Sequence, residues 1–417
     1  MINSQWLSII KTICDLPTAP FQEQHVMAWI RQYLETLSPQ RELRVREDRA
    51  GNLFVDYGTS SIDGAGQSAA AAAAIDRRRL VFEAHVDHPG FICGATHLDG
   101  TMAAGFLGGV KPSCFEGATV RLFHPHGRSP WCRAEIIAPP GPADDAGAIP
   151  CTLRLLDDGA AIPAGTIGMW DLPDGERIGD YFAARVCDDL AGAAAMLCLL
   201  HEACERQLAT PFTLMFTRAE EVGFIGTLAA MEDGSLATHG SADTQWSVIG
   251  LETSRALPHA PMGGGPVLRV GDRSSIFSSP LTRFIKLTAD DVADDVPGFS
   301  FQRALMDGGT CNSSVFDAFG YDSAGLTLPM GNYHNMAMES IPVPVPRAGP
   351  MIASEVIHLH DFQSLVELLI GVVDHFPRYT GDHDGFRAQM MTRLGKHRAM
   401  LYAQRESFSD RAGLADE

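Results

Sequence analysis

Apolar residues near the start of the chain recur every three or four positions, which is the spacing of one face of an α-helix. Trp6, Ile9, Ile10 and Ile13 follow this spacing, and the pattern returns over residues 21–37 after a break around Pro17. Residues 3–37 are therefore predicted to be helical on both sides of that break.

Short, continuous apolar runs follow, and such runs are typical of strands. They are "GNLFVDY" (51–57), "LVFEA" (80–84), "FTLMFT" (212–217), "SVIGLE" (247–252) and "SAGLTLP" (323–329). The segment 189–207 predicts a helix with acidic residues at its start, and 354–376 contains another. The polar C-terminal end predicts a last helix and a frayed tail. This alternation predicts an α/β fold with a mixed central sheet flanked by helices.

Residues 95–180 have a different pattern, in which β-like runs alternate with turns rich in Gly and Pro. The runs include "ATVRLFH", "CRAEIIA" and "CTLRLLDD". We predict a small all-β domain at 95–180, inserted into an α/β catalytic domain formed by 1–94 and 181–417. The Ala-, Gly- and Ser-rich segment 60–79 is predicted to be a surface loop, with a short helix as the alternative.

Charge and composition narrow the class of protein. The chain has 417 residues, with 32 Lys and Arg against 51 Asp and Glu, for a formal net charge of −19. Such a surface repels phosphate backbones, so we expect no nucleic-acid partner. We see no secretory signal and no apolar run long enough to span a membrane. Nine Cys without a CxxC pair predict reduced thiols in a cytoplasmic protein.

Potential metal ligands stand at or after the ends of four predicted strands. They are His85 with Asp87, Glu220 with Glu221, Glu252, and His334; Asp188, at the start of a predicted helix, is a further candidate. In open α/β sheets, ligands bind outside the carboxyl ends of the strands, so the fold could gather these groups at one edge. Mixed imidazole and carboxylate ligation suits Zn²⁺ and neighbouring transition metals. With one bridging carboxylate, the set could hold two metals, while a further carboxylate acts as general base.

Each motif also has an ordinary structural interpretation when it is taken alone. An HxD pair is often a loop histidine beside a solvated carboxylate, and two adjacent glutamates are often a solvated pair. Two aspartates before a helix often cap it, and a glutamate at a strand end is often structural. The consistent position of these groups beside predicted strands favours the metal hypothesis.

Several segments together resemble the M42 family of di-metal aminopeptidases and, more distantly, the M28 and M20 families. These segments are "AHVDHPGF", "VCDDLAG", "TRAEEVGFIGT", "GLETS" and "DGGTCNSSVFDAFGYDSAGLTLPMGNYHN". The resemblance extends over roughly residues 20–375 and implies the zinc-dependent exopeptidase fold. It also implies that the inserted β domain contributes to subunit contacts and active-site access.

The resemblance implies roles for the candidate residues. Metal one would be bound by His85, Asp188 and Glu252, and metal two by Asp188, Glu221 and His334. Asp87 would orient His85, and Glu220 would be the general base. The peptide bond after Asp188 would be cis. The two divalent ions are expected to be zinc, with cobalt or manganese as alternatives.

The chain departs from the family pattern at positions outside the main ligand set and at one ligand. Leu190 and Asn332 stand where the family has Arg, Cys311 and Glu252 where it has Asp, and His88 where it has Glu. Cys311, like Cys187, is interpreted as a packing residue. The substrate-facing positions therefore do not follow the family pattern.

The resemblance implies an aminopeptidase that hydrolyses N-terminal residues of peptides and assembles into homo-oligomers. One alternative is a related di-metal amidohydrolase, a deacylase or carboxypeptidase, that acts on another peptide or amide substrate. A second alternative is a non-catalytic protein that keeps the fold.

Overall fold

The structure, a computed structural model, describes residues 2–37, 43–58, 78–124, 130–138, 141–157, 162–236 and 244–412, with side chains up to residue 402. The strands are β1 (Leu43–Glu47), β2 (Leu53–Tyr57), β3 (Arg78–His85), β4 (Gly90–Cys93), β5 (Thr101–Leu107), β6 (Thr119–Phe123), β7 (Pro130–Ile136), β8 (Ile149–Leu155), β9 (Thr166–Trp170), β10 (Glu176–Ile178), β11 (Tyr181–Ala184), β12 (Phe212–Thr217), β13 (Gln245–Arg255), β14 (Val267–Asp272), β15 (Gln302–Met306), β16 (Asp322–Gly331) and β17 (Glu355–His358). The helices are α1 (Ser4–Cys14), α2 (Gln24–Thr36), α3 (Leu190–Arg206), α4 (Ile225–Glu232), α5 (Ser279–Asp295), α6 (Asn312–Ala318), α7 (Leu359–His375) and α8 (Asp384–Ala412).

Four parallel strands form the centre of the main sheet. Its order in the described chain is β1-β2-β12-β3-β13-β16-β17-β11-β10, and β14 and β15 extend from β16. β12, β3, β13 and β16 run parallel, whereas β1, β2, β17, β11 and β10 pair antiparallel with their neighbours. The central strands are almost wholly buried, which explains their continuous apolar runs. The predicted mixed sheet is confirmed.

The inserted β domain is a closed barrel with the strand order β4-β5-β8-β7-β6-β9. Phe91, Phe106, Phe115 and Trp170 meet in its core, with ring centroids 4.8–6.2 Å apart. Edge contacts between such rings add to the stabilisation from burial. The barrel strands begin at Gly90, ahead of residue 95, and β10 belongs to the main sheet rather than to the barrel.

Helices pack against the main sheet in two groups. α3 and α7 contact central strands, with α1 against α3 and α5 against α7; α6 contacts β13 and β16, with α4 beside it. The helices predicted within 3–37, 189–207 and 354–376 are confirmed. The sequence reasoning missed α5, although the Ser278 hydroxyl accepts a hydrogen bond from the N–H of Leu281 and Pro280 lies in the first turn.

Residues 60–77 of the segment predicted as a loop lie outside the described residues. Residues 379–417 form a second compact unit, and its described part contains α8, the polar helix predicted at the C-terminal end. None of the described helices combines the length and apolar character that a membrane crossing requires.

Candidate metal centre

The parallel strands bring the predicted ligands to one edge of the sheet. His85 is the last residue of β3, Glu220 follows β12, and Glu252 lies in β13. His334 comes directly after β16, in a short 3₁₀ turn over Tyr333–Asn335. Asp188 stands just before α3. Residues far apart in sequence meet here because parallel strands end at the same edge.

Asp188 lies between two imidazole rings. Its Oδ1 is 3.3 Å from Nε2 of His85, and its Oδ2 is 3.6 Å from Nε2 of His334. Glu252 Oε1 lies 3.9 Å from the same nitrogen of His85, and Glu221 Oε2 lies 3.0 Å from that of His334. The arrangement is two ligand groups that share one carboxylate.

Several donor atoms of this centre are buried without a hydrogen-bond partner. Asp188 Oδ1, Glu221 Oε1 and His334 Nε2 make no hydrogen bond to any described residue, although Asp188 Oδ1 and His334 Nε2 lie at ion-pair distance from His85 and Glu221. Unsatisfied buried polar atoms are costly, so their convergence on one place suits a bound cation. The residues present therefore fit a metal site.

Glu220 is also within reach of a metal. Donor atoms of His85, Glu220 and Glu252 all lie within 4.8 Å of one another, as do those of His85, Asp188 and Glu221. The geometry therefore allows Glu220 to be either a ligand or a free base beside the ligands.

Asp87 connects the first histidine to the turn that carries the two glutamates. Its Oδ1 accepts a hydrogen bond from the N–H of Glu220 at 2.9 Å, and its Oδ2 accepts one from the N–H of Glu221 at 3.1 Å. The same carboxylate lies 3.5 Å from Nδ1 of His85. Asp87 is wholly buried, so its position is fixed by these contacts.

The sequence reasoning missed two residues that hold the same turn. Glu23 accepts hydrogen bonds from the N–H of Ala219 and from Nε of Arg218. Asn52 accepts one from the N–H of Arg218. Four consecutive N–H groups, from Arg218 to Glu221, are thus bound by side chains. Gly223, with φ of 110°, then lets the chain turn away from the sheet, as only glycine does readily.

His334 is oriented by unusual backbone and by the barrel. Asn332, His334 and Asn335 all have left-handed backbone, with φ of 54–61°. Such a conformation costs a non-glycine residue about 1–2 kcal/mol, least for Asn. Nδ1 of His334 donates to the carbonyl of Gly109, at 3.0 Å, which leaves Nε2 facing the carboxylates.

The start of α3 differs from an ordinary helix cap. Asp189 is the N-cap residue, but its carboxylate makes no capping hydrogen bond and instead accepts one from the Thr253 hydroxyl at 2.8 Å. The peptide bond between Asp188 and Asp189 is cis, as the resemblance implied. Neither aspartate has the ordinary capping role.

The centre carries an excess of buried carboxylates. Burial raises the pKa of Glu220 and of Asp188 well above the usual range, and neighbouring carboxylates, Glu252 foremost, raise both further. Burial alone would lower the pKa of His85, but Glu220 and Asp188 raise it overall. Glu220, Asp188 and His85 would therefore hold protons strongly unless a cation took their place.

A pocket of about 230 Å³ opens beside the centre. Its lining includes Tyr333, Arg255 and Arg269. Arg269 is 2% exposed, makes no ion pair with any described residue, and its Nε has no hydrogen-bond partner there. Its Nη1 makes only long contacts of 3.4 Å, to the hydroxyls of Ser254 and Thr327. The sequence offered one signal for it, a lone arginine within the apolar run "PVLRV".

The cysteines near these motifs are buried thiols. Burial raises the pKa of Cys187 well above the usual range and that of Cys311 to about 12. Thiols with such pKa values are poor nucleophiles at neutral pH, in agreement with their interpretation as packing residues.

Comparison with known proteins gives one family match. The sequence model of a family described as M42 glutamyl aminopeptidase matches residues 158–341. No curated protein sequence shows significant similarity to this chain.

Similar solved structures share the fold at low sequence identity. A TET aminopeptidase from a marine-sediment archaeon of the Thaumarchaeota is 19% identical, with a TM-score of 0.66, over 89% of this chain and 97% of that one. The TET1 peptidase of Pyrococcus horikoshii is also 19% identical, with a TM-score of 0.63, over 88% and 99%. An aminopeptidase from Desulfurococcus kamchatkensis is 16% identical, with a TM-score of 0.65, over 90% and 96%.

Proposed function

We propose that this chain, whose residues 158–341 match the sequence model of the M42 glutamyl aminopeptidase family, is a metal-dependent aminopeptidase that removes N-terminal residues from peptides. One observation carries the proposal: the two oxygens of Asp188 face two different imidazoles, at 3.3 and 3.6 Å, with Glu220 alongside. A shared carboxylate between two ligand groups is how two-metal hydrolases hold their ions.

The centre would take two divalent ions, with zinc expected because the candidate ligands mix imidazole and carboxylate. His85, Asp188 and Glu252 would hold the first, and Asp188, Glu221 and His334 would hold the second. The unpartnered buried atoms described above support this assignment. Cobalt and manganese accept the same ligand types.

Glu220 acts as general base. Bound divalent ions lower the pKa of water and polarise a carbonyl oxygen. Glu220, held through its N–H by Asp87, takes a proton from the attacking water and passes it to the leaving amine. Asp87 also keeps His85 in place, because its main-chain carbonyl accepts a hydrogen bond from Nδ1 of His85 at 3.2 Å and its carboxylate lies 3.5 Å from the same nitrogen.

Arg269 supports a substrate that carries a carboxylate. A guanidinium buried without an ion pair is costly unless an anion binds to it. The metal ions would neutralise the carboxylates of the centre, so Arg269 remains available to the substrate. In an aminopeptidase this favours an acidic N-terminal residue, in keeping with the word glutamyl in the family description.

Arg269 also favours a second candidate, a carboxypeptidase that uses the same metals. In that case the guanidinium would bind the α-carboxylate of the substrate's C-terminal residue. A deacylase acting on an N-acyl amino acid would present the same group. These three reactions differ in whether the substrate amine or the substrate carboxylate must be free.

A substrate panel separates these functions. We expect the zinc- or cobalt-loaded protein to release the fluorophore from glutamyl and aspartyl amides with a free amine, and to cleave leucyl amide less well. Arg269→Met should raise KM for the acidic amides by about 10-fold or more, because one charged hydrogen bond is worth roughly 1.5–3 kcal/mol. The leucyl amide serves as control, since its KM should change little.

Other outcomes would reject the aminopeptidase. Cleavage of N-acyl amino acids alone, with no reaction of free-amine amides, would favour a deacylase or carboxypeptidase. Absence of bound transition metal together with absence of amide hydrolysis would favour a non-catalytic protein.

We further propose that the protein is a cytoplasmic homo-oligomer. Its nine cysteines are all buried and free, as expected of a reducing compartment. The Pyrococcus horikoshii TET1 peptidase can assemble into a tetrahedron or an octahedral shell. By analogy, the barrel would contribute to subunit contacts and to access to the centre, which light scattering on the full chain and on a barrel-surface variant would test.

A further inference from the structure

The backbone of Asp188 is held on both sides by buried side chains. Oε2 of Glu355 accepts hydrogen bonds from the N–H groups of Cys187, at 2.6 Å, and of Asp188, at 3.0 Å. Nδ1 of His88 donates to the carbonyl of Asp188 at 2.8 Å. Both polar groups of this one residue's backbone are thus bound by side chains from elsewhere in the chain.

His88 is itself fixed by a third side chain. Its Nε2 lies 3.0 Å from Oδ1 of Asn335 and 3.9 Å from Oε1 of Glu355. The Asn335 amide cannot turn over freely, because its Nδ2 donates to the carbonyls of Arg185 and Ala353 at 2.9 and 3.2 Å. The ring of His88 is therefore held at both nitrogens.

These three side chains have no place in the ligand sets, yet none is exposed to solvent. Burying a carboxylate, an imidazole and an amide is costly unless they are paired and hydrogen-bonded. They come from three separate segments: after β3, after β16 and at the start of β17. Glu355 and His88 bind the backbone of Asp188 directly, and Asn335 acts on it through His88.

We propose that His88, Glu355 and Asn335 are positioning residues that hold Asp188 in the orientation in which its two oxygens point to different metals. The proposal rests on the proposed function for the presence of the metals. A carboxylate shared by two ions must present each oxygen in a set direction, and partners of ligands commonly control this. A variant that no longer holds Asp188 in place should bind both metal ions more weakly, whereas loss of any other ligand should weaken the binding of one ion.

The first test is a zinc titration against a chromophoric chelator. For His88→Ala we expect both binding steps to weaken by about 10–100-fold, the usual effect of losing such a partner. Added imidazole, which can enter the space left by the ring, should restore part of both affinities. Glu221→Ala, by comparison, should weaken only one step.

A matched control and a nearly isosteric variant complete the titration. His25→Ala removes another buried histidine, on α2, and should leave both steps unchanged. Glu355→Gln keeps one acceptor oxygen and should weaken both steps less than His88→Ala; it also provides the test if His88→Ala does not fold. Weakening of a single step, or of neither step in a folded variant, would overturn the proposal.

The second test does not depend on metals. Amide hydrogen exchange in metal-free protein should become faster at Cys187 and Asp188 in Glu355→Gln than in the wild type, while amides in α5 keep their rates. Unchanged exchange at those two amides would overturn the proposal. If the wild type takes up no metal, the proposed function fails, and the exchange result still decides whether these residues hold Asp188.

Discussion

The turn after β12 gives two adjacent carboxylates different surroundings. Glu221 faces His334 at 3.0 Å, whereas Glu220 forms no ion pair within 4.0 Å with either of the described histidines His85 and His334. Asp87 holds the N–H groups of both. Two like charges side by side are unfavourable in isolation, and a metal beside one of them would relieve this.

The two glutamates should therefore respond differently to substitution. Glu220→Gln should lower kcat by about 10²–10⁴-fold, the typical contribution of a general base, while two metal ions remain bound. Glu221→Ala should lose the ion that Glu221 would share with His334. Metal content by elemental analysis and kcat on one amide substrate measure both effects.

Glu232→Gln, on the exposed end of α4, is the control and should change neither quantity. Equal loss of metal in the Glu220 and Glu221 variants would show that Glu220 is a ligand, as the distances among His85, Glu220 and Glu252 also permit.

For individual residues, the sequence predicted the candidate metal ligands but not the side chains that hold those ligands in position. Each candidate follows or ends an apolar run, which is a visible signal. Glu23, Asn52 and Glu355 carry no such signal, because a buried polar residue looks like a surface residue until its partners are known. Their roles depend on contacts across 160 or more positions of the chain.

Among the elements, a hydrogen bond joins the barrel to the histidine that follows sheet strand β16. The carbonyl of Gly109, just after barrel strand β5, accepts from Nδ1 of His334, just after sheet strand β16. A Cβ at position 109 would lie 3.4 Å from Nδ1 and Cε1 of that ring. The barrel therefore helps to set the direction of a proposed metal ligand.

Substitutions at Gly109 should reveal this coupling. Gly109→Ala should be tolerated, because 3.4 Å is at the limit of ordinary contact, but the methyl groups of Gly109→Val should displace the ring. We expect Gly109→Val to weaken one metal-binding step by about 10-fold or more. The zinc titration described above measures it.

Gly105→Val is the matched control, since a Cβ at this barrel position would approach only Ala148. It should leave both steps unchanged. Similar titrations for Gly109→Val and the wild type would refute the coupling.

For the molecule as a whole, Asp361 makes stability depend on pH. It lies in the first turn of α7 and accepts hydrogen bonds from the N–H groups of Gly263 and Gly265, both at 2.7 Å. Burial raises its pKa from 3.8 to about 6, although these hydrogen bonds oppose the shift. The folded protein thus binds this proton more tightly than the unfolded chain does.

The sign of the effect follows from this raised pKa. The stabilisation is complete below about pH 4 and is lost as the pH rises through about 6. Between about pH 5 and pH 7.5, the free energy of unfolding of the wild type should fall by about 1–2 kcal/mol relative to that of Asp361→Asn, which cannot titrate. Urea denaturation at the two pH values measures the difference.

Asp233→Asn, at the exposed end of α4, should follow the wild type at both pH values. A difference between wild type and Asp361→Asn that does not change with pH would show that this carboxyl is not the source.

Sequence alone determined the elements with strong local signals. The apolar runs of β2, β3, β12, β13 and β16, and the periodicity of α1, α2 and α3, required no knowledge of neighbours. The β-like runs and turns of residues 95–180 likewise predicted an all-β domain. They did not predict a closed barrel, because closure depends on the pairing of β4 with β9.

Only the tertiary structure decided which groups meet. Parallel pairing of β12, β3, β13 and β16 brings four strand ends to one edge. Which strands pair depends on contacts between residues far apart in sequence, and a local pattern does not predict those contacts. The same holds for the buried contacts of Asp188 and for Arg269 in the pocket. Local sequence specifies conformation through short-range sterics and hydrophobic periodicity, whereas the centre exists because the sheet places distant residues within a few ångströms.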